Sequence, residues 1–128
     1  PLVMLVIDNN QVKEINDNWG HSVGDEVLKT IRQRLSQFES DNDLVARIGG
    51  DEFSMLMTHM TDDSQVQQLV AQISASITTP MILDNGIIIT TSVTIGYAWS
   101  HALDTAKDIT ERADANMYKI KKTHGDQR

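Results

Sequence analysis

The sequence predicts an α+β domain, an antiparallel-centred mixed sheet flanked by helices, and three observations carry that expectation. An unbroken apolar run opens the chain at residues 2–7, a period-two stretch straddles a glycine pair at 43–57, and three further segments repeat apolar residues at helical spacing.

In chain order, the run LVMLVI at 2–7 holds three β-branched residues and no polar interruption, the pattern of a buried central strand, and DNN at 8–10 stops it. Asp8 is thereby placed at the strand's carboxyl end. Residues 13–28 are polar and long for a turn. From Gly24 onward, Val27, Leu28, Ile31, Leu35 and Phe38 fall on one helical face, with Lys29, Arg32 and Arg34 among the polar positions. DLVARIGGDEFSMLM reads as strand, tight turn, strand, with Gly49, Gly50 and Asp51 at the tip and the glycines able to adopt positive φ. A second amphipathic helix covers 62–78 through Val66, Leu69, Val70, Ile73 and Ile77, capped by Asp62 or Asp63 and ended by Pro80. Residues 81–99 give a short strand, an Asn85-Gly86 turn and a longer β-rich stretch in which Gly96 is expected to form a bulge. Ile109, Ala113, Met117 and Ile120 mark a last helix, ending near His124 and Gly125. The expected order is β, α, β, β, α, β, β, α.

At 128 residues with 40% apolar content the chain is expected to be one domain, 1–128, with one ordinary core. Pro1 leads at once into an apolar strand, which is unusual for a natural start, so a fragment of a longer multidomain protein is expected. The net charge of −7 argues against holding nucleic acid by broad phosphate neutralisation, and an anionic ligand would need a metal ion or local donors to offset repulsion. Without cysteine there is neither a disulfide nor a thiolate zinc site, and no apolar run reaches the roughly 20 residues of a membrane helix. A cytoplasmic setting is expected, with anchoring of the full-length protein to the inner membrane left open. Phosphate loops of the G-x-x-x-x-G-K-[ST] type, G-x-G-x-x-G, H-E-x-x-H and G-x-S-x-G are all absent, and the four histidines are scattered.

Two constellations remain. Asp51 and Glu52 together exceed what a turn requires, and if the hairpin neighbours the first strand, Asp8 and Asp51 point into one cleft. Converging carboxylates repel unless a cation lies between them, and oxygen ligands without His or Cys favour Mg²⁺. The plainer alternative makes Asp8 a strand-end residue and Asp51 a turn residue. In KEINDNWGHSVGDEVL, Asn16 and Asp25 have the donor and acceptor groups to read a guanine edge. Here the plainer alternative has Asp25 capping a helix that begins at Glu26 and Asn16 bonding within a loop.

Taken together, GGDEF at 49–53, D-x-x-x-x-K-x-I-N-D-x-x-G-H-x-x-G-D from Asp8 to Asp25, SVTIG at 92–96 and R-A-D-x-x-M-Y-x-x-K from Arg112 to Lys121 resemble the GGDEF family of diguanylate cyclases. The match is collinear over nearly the whole chain. The resemblance implies a palm-like nucleotide cyclase fold and the condensation of two GTP into cyclic di-GMP with release of two pyrophosphates. It implies Mg²⁺, or Mn²⁺, held by Asp8, Asp51 and the backbone carbonyl of Asn9. It further implies guanine contacts from Asn16 and Asp25, backbone N–H groups near Gln11 and Val12 around the phosphates, and a phosphate contact from Lys121. Asp51 and Glu52 would be the catalytic acids, Glu52 binding metal or activating the attacking hydroxyl, while Gly49 and Gly50 admit the nucleotide. The partners implied are GTP, a second GGDEF domain in a homodimer and an N-terminal sensory domain, with no nucleic acid. A degenerate domain that binds GTP and regulates an attached domain without catalysis is the alternative.

Four departures bear on that alternative. DNNQVK stands where the family has D-x-D-x-F-K, so Asn10 replaces an acid and Val12 an aromatic. Asp126 stands where a phosphate-binding cation is usual, with Arg128 as a displaced substitute. SDND at 40–43 keeps Asp43 of the family's product-inhibition motif R-x-x-D but puts Ser40 in place of its arginine, so strong feedback inhibition there is not expected. The helix that usually precedes the first strand, with its D-x-L-T-x-L-x-N-R stretch, is missing from this chain.

Overall fold

The computed structural model describes residues 1–123. Its elements are β1 (Val3–Asn9), α1 (Val12–Trp19), α2 (His21–Ser36), β2 (Leu44–Arg47), β3 (Glu52–Met57), α3 (Asp63–Thr78), β4 (Met81–Ile82), β5 (Ile88–Ile89), β6 (Val93–Trp99) and α4 (Ala106–Thr123). β1 lies inside a four-stranded sheet ordered β2-β3-β1-β6, with every ladder antiparallel, and β4 and β5 pair as a separate two-stranded ribbon.

The unbroken apolar run is explained by burial on both faces. Val3, Leu5 and Ile7 enter the main core with Val27, Ile31 and Leu35 of α2 and Val66, Ile73 and Ile77 of α3. Met4 and Val6 face the other way, against Ile109, Ala113 and Met117 of α4. Asp62 caps α3 as expected, accepting from the Gln65 amide at 2.9 Å. The opposite end of α3 is closed by the Arg34 guanidinium, which donates to the carbonyls of Ser76 and Thr79 at 2.7 and 2.6 Å.

Four expectations need correction. Residues 13–28 are not a loop, because Gly20, at φ 93°, joins two helices and α2 begins at His21. Asp25 therefore lies inside α2 and caps nothing. Only Ile15 of α1 is buried; Val12, Ile15 and Trp19 do fall at helical spacing, but the polar residues between them read as a loop. Gly96 is not in a bulge: its pairing with Val6 continues the unbroken β1–β6 register. It is instead the point where α4 touches the sheet, since a Cβ there would lie 2.2 Å from the Met117 amide nitrogen. The stretch after the Asn85-Gly86 turn splits into β5 and β6, because Thr90–Ser92 leave the ladders and Thr91 turns inward to bond with Asn9 and Gln11. Finally, neither Gly49 nor Gly50 adopts a positive φ. The expected helix end at His124 and Gly125, and the departures at Asp126 and Arg128, lie outside the described residues.

Candidate active site

β1 sets the first acid by simple alternation. Met4 and Val6 face α4, so Asp8, two residues on, points to the same side at the polar end of that row. On α4 the matching row runs Ile109, Ala113, Met117 and then Lys121, and the Lys121 ammonium forms an ion pair with the Asp8 carboxylate. Opposite Asp8 in the β1–β3 ladder stands Glu52. The preceding residue, Asp51, is tied to β1 through its carbonyl, which accepts from the Asn9 amide at 3.1 Å. The hairpin thus delivers Asp51 and Glu52 to the end of β1.

A fourth acid, Asp114, joins them. It lies beside Glu52 and adds its charge to those of Asp8 and Asp51. Burial, then Asp114 and the two aspartates, push the Glu52 carboxyl from 4.5 up to about 7. Asp8 is also raised, by burial first and by Asp51 and Asp114, with the Lys121 ammonium acting against the rise. Asp114 was legible in the sequence only as part of R-A-D-x-x-M-Y-x-x-K, seven residues and hence two turns before Lys121 on the same helix.

The sign of the Glu52 shift makes a measurable prediction. Between 4.5 and about 7 the folded chain holds a proton on Glu52 that the unfolded chain has released. Stability contributed by that proton is complete below the lower value and is lost as pH rises to the upper one. Thermal melts from pH 4.5 to 7 should therefore show a downward component that Glu52→Gln removes. An unchanged slope in the variant would contradict it.

The β1–α1 connection is held by side chains. Asn9, almost fully buried, donates through Nδ2 to Thr91 Oγ1 at 2.9 Å and accepts the Gln11 amide on Oδ1 at 2.9 Å. The Gln11 carboxamide in turn accepts from Thr91 Oγ1 at 2.7 Å and the Ser92 amide at 2.9 Å. The Gln11 N–H is thus engaged, while the amides of the first turn of α1, from Val12 on, are capped by no side chain. Asn10 bonds to Ser92 Oγ and Thr94 Oγ1, each at 2.9 Å.

Asn16 lies at the α1–α2 corner, so close to Gly24 that a Cβ on Gly24 would come within 1.8 Å of Asn16 Oδ1. Asp25 follows Gly24 and is exposed on α2. The two expected guanine readers are thus on adjoining helices at one corner, and α1 connects that corner to the acid cluster. At the hairpin tip, a Cβ on Gly50 would meet nothing within 4 Å and one on Gly49 only Glu52 Cβ at 3.9 Å, so the fold itself does not demand these glycines. Arg47 folds over the turn and donates to the Gly49 and Gly50 carbonyls. Asp43 is consumed locally: Oδ2 takes the Ser40 amide and hydroxyl, and Oδ1 the Thr58 amide and hydroxyl. Burial opposes its charge, but these donors outweigh it and hold the carboxyl below its ordinary value.

Among the described residues no three His, Cys, Asp or Glu side chains close around one metal position. A cation at Asp8 and Asp51 would instead complete its shell with the Asn9 carbonyl, water and ligand oxygens, an open arrangement that suits Mg²⁺. The donor set itself, Asp8 opposite Glu52 with Asp51 adjoining and neither His nor Cys among them, is the feature of this site that a hard divalent cation fits.

Comparison with known proteins agrees with this geometry. The family model described as diguanylate cyclase, GGDEF domain, matches residues 1–127. Diguanylate cyclase DgcN of Escherichia coli K12 is 38% identical over 118 residues, covering 92% of this chain and 29% of that protein. Diguanylate cyclase TpbB of Pseudomonas aeruginosa is 38% identical over 122 residues, covering 94% of this chain and 28% of that protein. The chain thus spans under a third of the length of these curated relatives. The crystal structure of the TpbB GGDEF domain superposes with a TM-score of 0.88 at 38% identity, over 95% of this chain and 76% of that one. The GGDEF domain of DgcB from Caulobacter crescentus, solved in complex with c-di-GMP, gives 0.87 at 25% identity, over 96% and 71%. With four antiparallel strands in one sheet, the acids gathered at the end of β1 and the family pattern matched almost end to end, the chain belongs to the GGDEF family of diguanylate cyclase domains.

Proposed function

We propose that this domain binds GTP with Mg²⁺ and, paired with a second copy, condenses two GTP into cyclic di-GMP and two pyrophosphates. One observation carries the reading: Asp8 and Glu52 stand opposite each other on β1 and β3 with Asp51 adjoining, crowded enough to hold Glu52 near neutrality. Asp8, Asp51 and the Asn9 carbonyl are the cation ligands. When bound, the metal offsets charge on the phosphate oxygens and the departing pyrophosphate. The first turn of α1 and Lys121 receive the phosphates. Gly49 and Gly50 leave the hairpin bare for the nucleotide, which accounts for glycines the fold does not need. Asn16 and Asp25 select guanine. Glu52, poised near neutral pH, is the group suited to take the proton from the attacking 3′-hydroxyl. Each copy presents one GTP, and each hydroxyl attacks the partner's α-phosphorus, so one copy cannot close the product.

The acid missing at position 10 is the main support for a domain that only binds GTP. Asn10 nevertheless keeps the turn in place through Ser92 and Thr94, so the substitution leaves the site's frame intact. Association with an N-terminal sensory domain, and a cytoplasmic location, belong to the same proposal. Incubation with GTP and Mg²⁺ followed by chromatography tests it: cyclic di-GMP that disappears in Asp51→Ala and Glu52→Ala supports the cyclase, whereas GTP binding without product leaves the sensor.

Gly24 supplies a sharper test of the guanine corner. Gly24→Ala is helix-favouring, by up to about 1 kcal/mol, yet its methyl must displace the Asn16 amide. The expected outcome is an unchanged or raised melting temperature with GTP affinity reduced by about tenfold, and discrimination against ATP reduced with it. A variant that binds GTP normally would remove Asn16 from the guanine site.

A further inference from the structure

The resemblance leads one to expect Lys121 turned towards phosphate, yet in the structure its ammonium is seated on Asp8. The two side chains are mostly enclosed, 25% and 14% exposed. The helix that carries Lys121 has little freedom, because Met117, one turn earlier, presses its backbone on Gly96. At the other end of α4, Arg112 clamps Asp104 at 2.6 Å and the Trp99 carbonyl at 2.7 Å. The lysine stem can swing while its backbone stays. The oxygen that it occupies, Asp8 Oδ2, belongs to the carboxylate assigned to the cation.

We propose that Lys121 is an exchangeable internal counter-ion: its ammonium competes with the divalent cation for Asp8, and its release from Asp8 is what delivers it to the nucleotide phosphates. This inference rests on the reading of Asp8 as a cation ligand. It makes metal and nucleotide binding mutually reinforcing, since metal alone must evict a lysine that has only water to receive it, whereas metal with nucleotide gives the lysine a phosphate partner. A lysine is suited to such a handover because it is a compact charge on a flexible stem.

The two roles predict effects of opposite sign for one substitution. Mn²⁺ titrations followed by electron paramagnetic resonance, without nucleotide, should show tighter binding in Lys121→Met by roughly fivefold or more, the effect of removing one positive charge a few ångströms from the ion in a partly solvated setting. In the presence of Mn²⁺, the same variant should bind GTP more weakly. Lys121→Gln should repeat both effects, so that a misfolded methionine variant, detected by circular dichroism, does not decide the matter. Lys121→Arg should keep Mn²⁺ affinity near that of the parent. Mn²⁺ affinity unchanged or lowered in the folded Met or Gln variant overturns the counter-ion role. If the parent's Mn²⁺ binding is at the same time abolished by Asp8→Asn, the metal-site reading survives that failure. Absence of Mn²⁺ binding in the parent and in every Lys121 variant overturns both, while binding that emerges only on removal of Lys121 supports both.

Discussion

Asp8→Asn is expected to lower cyclic di-GMP synthesis by on the order of a thousandfold or more, the scale at which removing one preorganised electrostatic group affects a charged transition state. The amide is nearly isosteric with the carboxylate, so the β1–β3 and β1–β6 ladders around it should persist. What disappears is the charge that holds Lys121 and that the proposed cation would require. Losing the ion pair costs stability, but removing the Asp8 charge also relieves its repulsion with Asp51 and Asp114, so the net cost should be only about 1 kcal/mol. A melting temperature within a few degrees of the parent, together with lost turnover and lost Mn²⁺ binding, is the expected combination. Retained Mn²⁺ affinity would move the cation away from Asp8.

The second large effect is structural. Gly96→Val should destabilise the domain by about 3 kcal/mol or more, because its Cβ would overlap the backbone of Met117, at 2.2 Å from N and 2.5 Å from Cα, rather than a side chain able to rotate away. Either α4 lifts or β6 bends, and both separate Met4 and Val6 from Ile109 and Ala113. A fall in melting temperature of on the order of 10 °C is expected. Activity should fall further than stability alone explains, since α4 also carries Lys121 and Asp114 to the site. A variant with the parent's melting temperature would show that α4 does not rest on Gly96. The contrast with Gly24→Ala is informative: there the obstructing atom ends a short side chain, so the function is moved and the fold is not.

These two glycines also show how far the sequence could be read. The hairpin acids were legible because two carboxylates in one turn exceed what a turn uses, and β1 because a strand buried on both faces has no polar position. Asn16 and Asp25 stood out as candidate guanine readers through their chemistry, but the helices that hold them did not. Helix α1 buries one residue, and its polar sequence resembles a loop. The Asn16–Gly24 contact that packs it against α2 joins two segments that a periodicity argument treats separately. Gly96 could be recognised as special in a strand, yet a bulge and a close helix approach leave the same mark in one dimension. Similarly, Gly49 and Gly50 read as a positive-φ turn and are in fact bare surface.

By itself the sequence determined the class of fold, the core rows and which acids to single out at the strand end and at the hairpin, because these follow from local periodicity and from residue chemistry at short separations. Only the tertiary structure decided that Asp114 crowds Glu52, that Lys121 sits on Asp8, and that Asn9, Gln11 and Thr91 lock the turn before α1. Each of these joins residues some 60 to 110 positions apart. Their meeting depends on the strand order β2-β3-β1-β6 and on the path of α4 across it. No local pattern in the chain encodes that proximity.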